Sequence, residues 1–329
     1  MDHEPSLRGG VAGRPGTRHL LTLLATLACG HATAGYTFAG QAPTVEAPHA
    51  KPSLVVEHAA LRVGGTTTLA LTFEIEPGWH LYWNGLNDTG FAPEWTLDLP
   101  AGWSAGEAQW PVAHRHVAEG EILDHIYEDR LTILIPVRVP ASASPGEYPV
   151  TAHADWLVCK DACVPEDAEV HAIVRIAPRE DLAENRKPEF EAARAAMPRP
   201  GGELPEGLSW KAFGRTLVAR VPGATALEFH PTIDSPELVD LWKTGRAEGS
   251  EITLTLAAER SAWIPPARYL RGTLVVERAE KQPDGTETTA RTGYLLGVPE
   301  LDRGHGETNT PPDSPEPGAP PSAPDARGE

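Results

Sequence analysis

Tyr148-Pro149-Val150-Thr151-Ala152-His153-Ala154-Asp155-Trp156-Leu157-Val158-Cys159 is the stretch on which the fold turns. Tyr148, Val150, Ala152, Ala154, Trp156 and Val158 recur at every second position, the period that buries one face of a β-strand. Lys160-Asp161-Ala162-Cys163 follows, and Val170, Ala172, Val174 and Ile176 then alternate again. Cys159 and Cys163 therefore flank a turn between neighbouring strands. By parity Trp156 and Val158 face a core, so Cys159 is expected on the opposite face or at the mouth, where it is accessible. Upstream, Leu69, Leu71, Phe73 and Ile75 alternate between Gly64-Gly65 and Pro77-Gly78. Leu131 to Val139 is an apolar run containing Pro136, which suits a strand near a sheet edge. Short strands punctuated by turns predict an all-β sandwich or barrel over residues 35–178.

Beyond this half the pattern changes. Residues 179–206 carry helix formers and charges with a thin apolar stripe, then Pro198, Pro200, Gly201, Gly202 and Pro205; they read as a partly helical linker. Residues 207–298 read as a second, smaller β-rich domain. Ile252, Leu254 and Leu256 alternate there, and Leu274-Val275-Val276 leads through Pro283-Asp284-Gly285 to Tyr294-Leu295-Leu296. Ser235-Pro236-Glu237 before Leu238, Leu241 and Trp242 predicts a capped helical turn. No repeat links the halves.

The ends differ from both. Arg8, Arg14 and Arg18, the short apolar run Leu20 to Cys29 and the small residues Ala32-Thr33-Ala34 make residues 1–34 a secretory signal peptide. Ten apolar residues are too few to cross ~30 Å of hydrocarbon. A lipoprotein retaining Cys29 ranks lower, because Thr26-Leu27-Ala28 lacks a leucine three residues before the cysteine. Residues 299–329 are Pro-rich and poor in apolar surface, and read as disordered. No later segment is long enough for a membrane span, so a periplasmic or secreted location is expected. The formal charge is −18, from 28 basic and 46 acidic residues. That argues against nucleic acid as a partner, which needs a concentrated basic surface. With 40% hydrophobic residues the chain can bury a core.

Removal of residues 1–34 leaves two cysteines, and in an exported protein such a pair is normally a disulfide or a redox couple. Three readings stay open. A structural disulfide could staple the hairpin, although closing so short a loop constrains the unfolded chain little. A reversible couple would need an accessible thiolate; Lys160 favours one, whereas Asp161, Glu166 and Asp167 oppose it. A structural zinc site wants about four ligands, and His153 lies about 20 Å up the strand from Cys159. His114 and His116 form an i, i+2 pair that could chelate, and copper(I) would accept two thiolates. No cofactor or resident metal is assigned. The other unusual feature is Trp79 to Pro93, WHLYWNGLNDTGFAP. Trp79, Leu81 and Trp83 share parity and suit a core, with His80 and Tyr82 facing the other way. Tyr82, Asn87, Asp88 and Phe91 are the candidates for a loop that caps a site.

Three stretches carry a resemblance: WHLYWNGLNDTGFAPEW (79–95), LPAGWSAGEAQWP (99–111) and DWLVCKDACVPED (155–167). With the strands between them, residues 50–177 resemble the N-terminal periplasmic domain of the thiol:disulfide interchange protein DsbD family, in its ScsB-like branch. The resemblance implies an immunoglobulin-like β-sandwich with a redox-active pair matching Cys159 and Cys163. It implies electrons arriving from a membrane or thioredoxin-like thiol–disulfide partner and passing to oxidised periplasmic proteins. The long forms of the family continue into membrane and thioredoxin-like domains; this sequence continues into a Pro-rich segment instead. Exchange through Cys159 and Cys163 is thus the leading expectation. A non-catalytic binding module with a structural disulfide, or a copper-handling protein, is the alternative.

Overall fold

Alternating side chains become strands when each apolar face meets a partner layer. The computed structural model describes residues 47–177, 188–204, 208–235, 238–257 and 271–297. The expected signal peptide and the Pro-rich segment lie outside these residues.

The first half runs β1 (Ala50–Val56), β2 (Thr66–Ile75), β3 (His80–Tyr82), β4 (Glu94–Asp98), β5 (Ser104–Ala105), β6 (His114–Ala118), β7 (Ile122–Glu128), β8 (Arg130–Arg138), β9 (Gly146–Cys159) and β10 (Cys163–Ile176). One sheet has the order β1-β2-β8-β5; the other is β10-β9-β3-β7-β6, with β4 also pairing β9. Leu69, Leu71 and Phe73 of β2 and Leu131, Ile133 and Ile135 of β8 share one buried core with Val150, Ala152, Trp156 and Val158 of β9. Phe73 and Trp156 meet edge to face at 5.1 Å, a favourable aromatic geometry. The result is an all-β, immunoglobulin-like sandwich. Pro136 sits in β8, whose outer neighbour β5 has only two residues, so the proline lies close to the sheet rim.

After it come α1 (Pro188–Ala196), β11 (Arg199–Pro200), β12 (Ser209–Phe213), β13 (Thr216–Arg220), β14 (Ala226–Pro231), β15 (Leu238–Val239), α2 (Leu241–Thr244), β16 (Arg246–Glu248), β17 (Glu251–Leu256), β18 (Gly272–Lys281) and β19 (Glu287–Leu296). These strands make a second pair of sheets, β11-β19-β18-β14-β16 and β12-β13-β17-β15. Ile252, Leu254 and Leu256 are buried between them, and β18 returns as β19 through the Asp284 turn. There Asp284 Oδ1 accepts bonds from the Thr286 N–H and hydroxyl at 2.9 and 2.6 Å.

The helical turn differs from the expectation. Leu238–Val239 is a strand paired to β17, and the turn starts at Leu241 behind Asp240 in a left-handed conformation (φ 55°). Ser235 is instead buried, with its hydroxyl 3.4 Å from the Arg271 N–H. Pairing with β17 outweighs the local capping signal, as tertiary contacts commonly override short propensities.

Helix α1 lies on the first sandwich. Phe190 and Ala193 bury against Ala70 and Leu134 on the outer face of the first sheet. Arg194 clamps the buried Glu57 carboxylate with two bonds of 2.7 and 2.6 Å. The halves also touch directly. Leu86 N–H donates to Pro231 O at 2.9 Å, and Arg291 donates to Ala113 O at 2.7 Å. Arg115 donates to Leu241 O at 3.1 Å, and Leu123 of β7 is buried in the second core. All described residues belong to one compact unit. No helix among them is long and apolar enough to cross a membrane.

Candidate functional site

Strands β9 and β10 pair antiparallel in register from Ile176↔Gly146 to Cys163↔Cys159, so the cysteines are the last opposed pair before the turn. The turn closes with Lys160 N–H donating to Ala162 O at 3.2 Å. Opposed residues at a hairpin end are close enough to bridge, and Cys159 and Cys163 form a disulfide with a Cα–Cα distance of 4.1 Å. Their environments are unequal. Cys163 is exposed, whereas Cys159 is 2% exposed.

The expected access to Cys159 is therefore corrected. Strand parity does turn Cys159 away from the main core, but that opposite face is covered as well. The aromatic segment pairs with the end of β9, His80 opposite Cys159. This brings Tyr82 and Ile126 against Cys159 in a small separate cluster. Leu81 and Trp83, of the other parity, enter the main core, and Trp79 packs at its margin.

Tyr82 is the centre of the polar arrangement. Its hydroxyl lies 3.8 Å from Cys163 Sγ, 3.3 Å from His80 Nε2 and 3.4 Å from Thr89 Oγ1. Thr89 in turn donates to Asp124 Oδ2 at 2.5 Å. Asp124 is 4% exposed, and its Oδ1 also accepts the Asp88 and Thr89 N–H groups at 2.9 and 3.0 Å. Burial, with Asp124 adding to it, raises the Tyr82 pKa despite the bond to Thr89. The phenol thus keeps its proton and can donate it toward sulfur. Burial, then the nearby His116, lowers the pKa of His80, whose ring is 6.0 Å from that of His116. A neutral His80 can accept or donate at Tyr82 according to its tautomer.

The remaining sequence candidates divide by role. Asn87 donates to Trp83 O at 2.8 Å and accepts the His125 N–H at 2.8 Å. Asp88 accepts the Leu123 N–H at 2.6 Å. Both fasten the 84–93 loop to β7 and do not touch the sulfurs. Gly90 lies on the Tyr82 ring, where an added Cβ would fall 2.1 Å from Cζ; Gly85 lies equally flat on Trp83. The loop therefore leans on the residue that touches Cys163. Phe91 is 77% exposed and lines a groove beyond Gly90.

His153 bonds Asp98 and Glu169, well up the sheet. Glu166 accepts the His49 N–H at 2.7 Å and the Trp156 indole N–H at 2.9 Å, so its carboxylate is engaged at the start of β1. Among the described residues, no group of three or more His, Cys, Asp or Glu side chains is placed to hold a metal ion. Thr89 and Asp124 escaped the sequence reading, and His116, read there with His114 as a possible chelating pair, stands instead beside His80. Asp124 carried one signal, an acid set among the apolar Ile122, Leu123 and Ile126, since buried acids are rare unless paired.

A β-sandwich with a disulfide at a hairpin tip, one cysteine exposed and a phenol beside it, has the features of a thiol–disulfide interchange domain. Residues 51–175 match the family described as "Thiol:disulfide interchange protein DsbD, N-terminal". The match covers 125 of the 329 residues, so the likeness is to that segment and not to the whole chain. Among solved structures, the N-terminal periplasmic domain of ScsB from Proteus mirabilis is 17% identical, with 76% of this chain and 95% of that chain covered and a TM-score of 0.46. The reduced DsbD N-terminal domain of Neisseria meningitidis is also 17% identical, with 36% and 84% covered and a TM-score of 0.23. No curated protein matches the sequence.

Proposed function

We propose that this chain is an exported, periplasmic thiol–disulfide interchange protein that carries electrons between a membrane or thioredoxin-like thiol partner and protein disulfides. The observation that supports it best is the unequal exposure of Cys159 and Cys163 within one disulfide. Exchange proceeds in line, through attack of a thiolate on one sulfur while the other leaves.

In the oxidised protein the incoming partner thiolate reaches Cys163 Sγ. The Sγ–Sγ bond breaks, Cys159 leaves as a thiolate and takes up a proton, and a mixed disulfide joins the partner to Cys163. A second partner thiolate attacks its own sulfur in that bond and releases Cys163. The partner becomes a disulfide, and two electrons now reside on the Cys159/Cys163 dithiol. Delivery is the reverse: Cys163 thiolate attacks a substrate disulfide, then Cys159 thiolate attacks Cys163 Sγ and frees the reduced substrate. Tyr82, 3.8 Å from Cys163 Sγ, stabilises the thiolate by donating its hydroxyl proton into a hydrogen bond.

Trapping tests the assignment. Cys159→Ser should accumulate a mixed disulfide through Cys163, whereas Cys163→Ser should trap little, because Cys159 is covered. Equal trapping by both variants would remove the assignment of the attacker. The reduction potential tests the function itself, since exchanging pairs lie above about −300 mV and structural ones below. A potential below that value would leave a binding module stapled by its disulfide.

A further inference from the structure

Residues 84–90 lie outside any strand, so their backbone polar groups must find partners one by one. Two of them are held from the second half. Leu86 donates its N–H to Pro231 O at 2.9 Å, while its carbonyl accepts from His125 Nδ1 at 2.9 Å. Asp88 exchanges two bonds with the Leu123 backbone, its N–H to Leu123 O at 3.0 Å and the Leu123 N–H to its Oδ2 at 2.6 Å. The Leu123 side chain meanwhile is buried in the second core with Leu227 and Leu254.

Strand β7 alone is a weak footing for this loop. β3 pairs with it only from Ile126 to Glu128. At Leu123 and Asp124 its sole strand neighbour among the described residues is the five-residue edge strand β6. That strand is itself tied to the second half through Arg115, which donates to Leu241 O and Trp242 O. The second half offers a stiffer support. His230 and Pro231 end β14, which lies between β18 and β16. His230 is fully buried, with Nε2 at 3.2 Å from Glu228 Oε2, and Glu228 is held in turn by Arg246 and Arg291. The His230 ring packs 4.3 Å from that of His125 and 5.9 Å from that of Trp83. A side chain locked in this way on a paired strand fixes its neighbours more precisely than a loop can.

From the loop the contacts continue to sulfur. Thr89, next to Asp88, meets the Tyr82 hydroxyl, and Gly90 lies against the Tyr82 ring. That hydroxyl is 3.8 Å from Cys163 Sγ. A contiguous path of this kind is tested as coupling by a double-mutant cycle.

We propose that the second half holds the 84–90 loop in place, and that His230 thereby acts as a positioning residue for the Tyr82 hydroxyl at Cys163. The inference rests on the donation from Tyr82 to the Cys163 thiolate proposed above, and it gives the second half a part in that step.

The rate at which Cys163 leaves as a thiolate tests it. The full chain carrying Cys29→Ser and Cys159→Ser is converted to the glutathione mixed disulfide at Cys163. A small thiol then attacks the glutathione sulfur; it forms a new disulfide with glutathione, and Cys163 departs with the electron pair. His230→Ala should slow this step about fivefold or more. His230→Phe keeps a ring against His125 and Trp83, and its rate should stay within about twofold of the parent. Added to Tyr82→Phe, His230→Ala should cause no further slowing, because both act through one hydroxyl. Ile252→Val, which trims the second core from β17, should leave the rate unchanged. Should His230→Ala not fold, replacing Leu86 by its α-hydroxy acid removes only the N–H that Pro231 accepts, and should slow release about twofold or more. Slowing by Tyr82→Phe but not by His230→Ala or the Leu86 ester would overturn this inference and leave the role of Tyr82 standing. No slowing by Tyr82→Phe would overturn both. Additive effects of the two substitutions, or equal slowing by Ile252→Val, would assign the effect of His230 to general stability and overturn the proposal.

Discussion

Tyr82 reaches a sulfur, an imidazole and a hydroxyl from a ring that is 2% exposed. Its hydroxyl is the only part that Tyr82→Phe removes, so the fold should persist while thiolate stabilisation at Cys163 is lost. A hydrogen bond to a charged group is worth about 1.5 kcal/mol, or about tenfold in rate. In a Cys159→Ser background, release of Cys163 from its mixed disulfide by a small thiol, the step in which Cys163 leaves as a thiolate, should slow by about that factor in stopped flow at neutral pH; an unchanged rate would separate Tyr82 from the chemistry. Gly90→Ala acts on the same ring from the other side. Its Cβ would overlap Tyr82, displacing the 84–93 loop at a cost of about 1–3 kcal/mol, measurable by urea denaturation. The cysteines and the aromatic segment were legible in the sequence because their residue types are rare and their spacing is strict. Thr89 and Asp124 were not, because what unites them is the pairing of the loop with β7, which no local pattern announces.

At the level of elements, alternation located the long strands well. Val150, Ala152, Trp156 and Val158 are buried along β9, as their parity requires. The turn signalled at Ser235-Pro236-Glu237 is displaced rather than absent: Pro236 and Glu237 lie outside the described residues, Leu238–Val239 pairs with β17, and the helical turn begins at Leu241. Helix α1 shows what a thin apolar stripe can do with one ion pair. Burial would push the Glu57 carboxyl up, but the paired Arg194 donors, with Thr68, hold it below the ordinary carboxylate range. A depressed carboxyl stabilises the folded state fully above its unfolded pKa of about 4.5 and loses that contribution as pH falls through the folded value. Acidification below about pH 4.5 should therefore loosen α1 before the sandwich unfolds. Hydrogen exchange at Phe190–Arg194 checks this. Arg194→Met should loosen the helix already at neutral pH, at a cost of about 1–3 kcal/mol for the stranded carboxylate.

Across the whole molecule the two halves meet over a pair of histidines. His125 and His230 are fully buried with ring centroids 4.3 Å apart, and Trp83 stands 5.9 Å from His230. Burial lowers both pKa values; the His230 ring further disfavours a charge on His125, and Glu228 only partly restores His230. His125 Nε2 and His230 Nδ1 have no hydrogen-bond partner among the described residues. A base with a depressed folded pKa is neutral when folded but protonated when unfolded below about pH 6.5, so stability is full above that value and falls beneath it. Unfolding midpoints should drop between pH 6.5 and 5, and His125→Gln should flatten that slope; an equal slope in both proteins would assign the acid sensitivity elsewhere. None of this junction was readable beforehand, because His125 and His230 are 105 positions apart and each looks like an ordinary strand residue.

The long hairpin has a mechanical corollary. Behind the Cys163–Cys159 pair stand thirteen further rungs of the same ladder. Cutting the topmost rung leaves the rails aligned, so the two sulfurs remain parked side by side. Reclosure then needs no search through chain conformations, and the architecture stays indifferent to which oxidation state it carries.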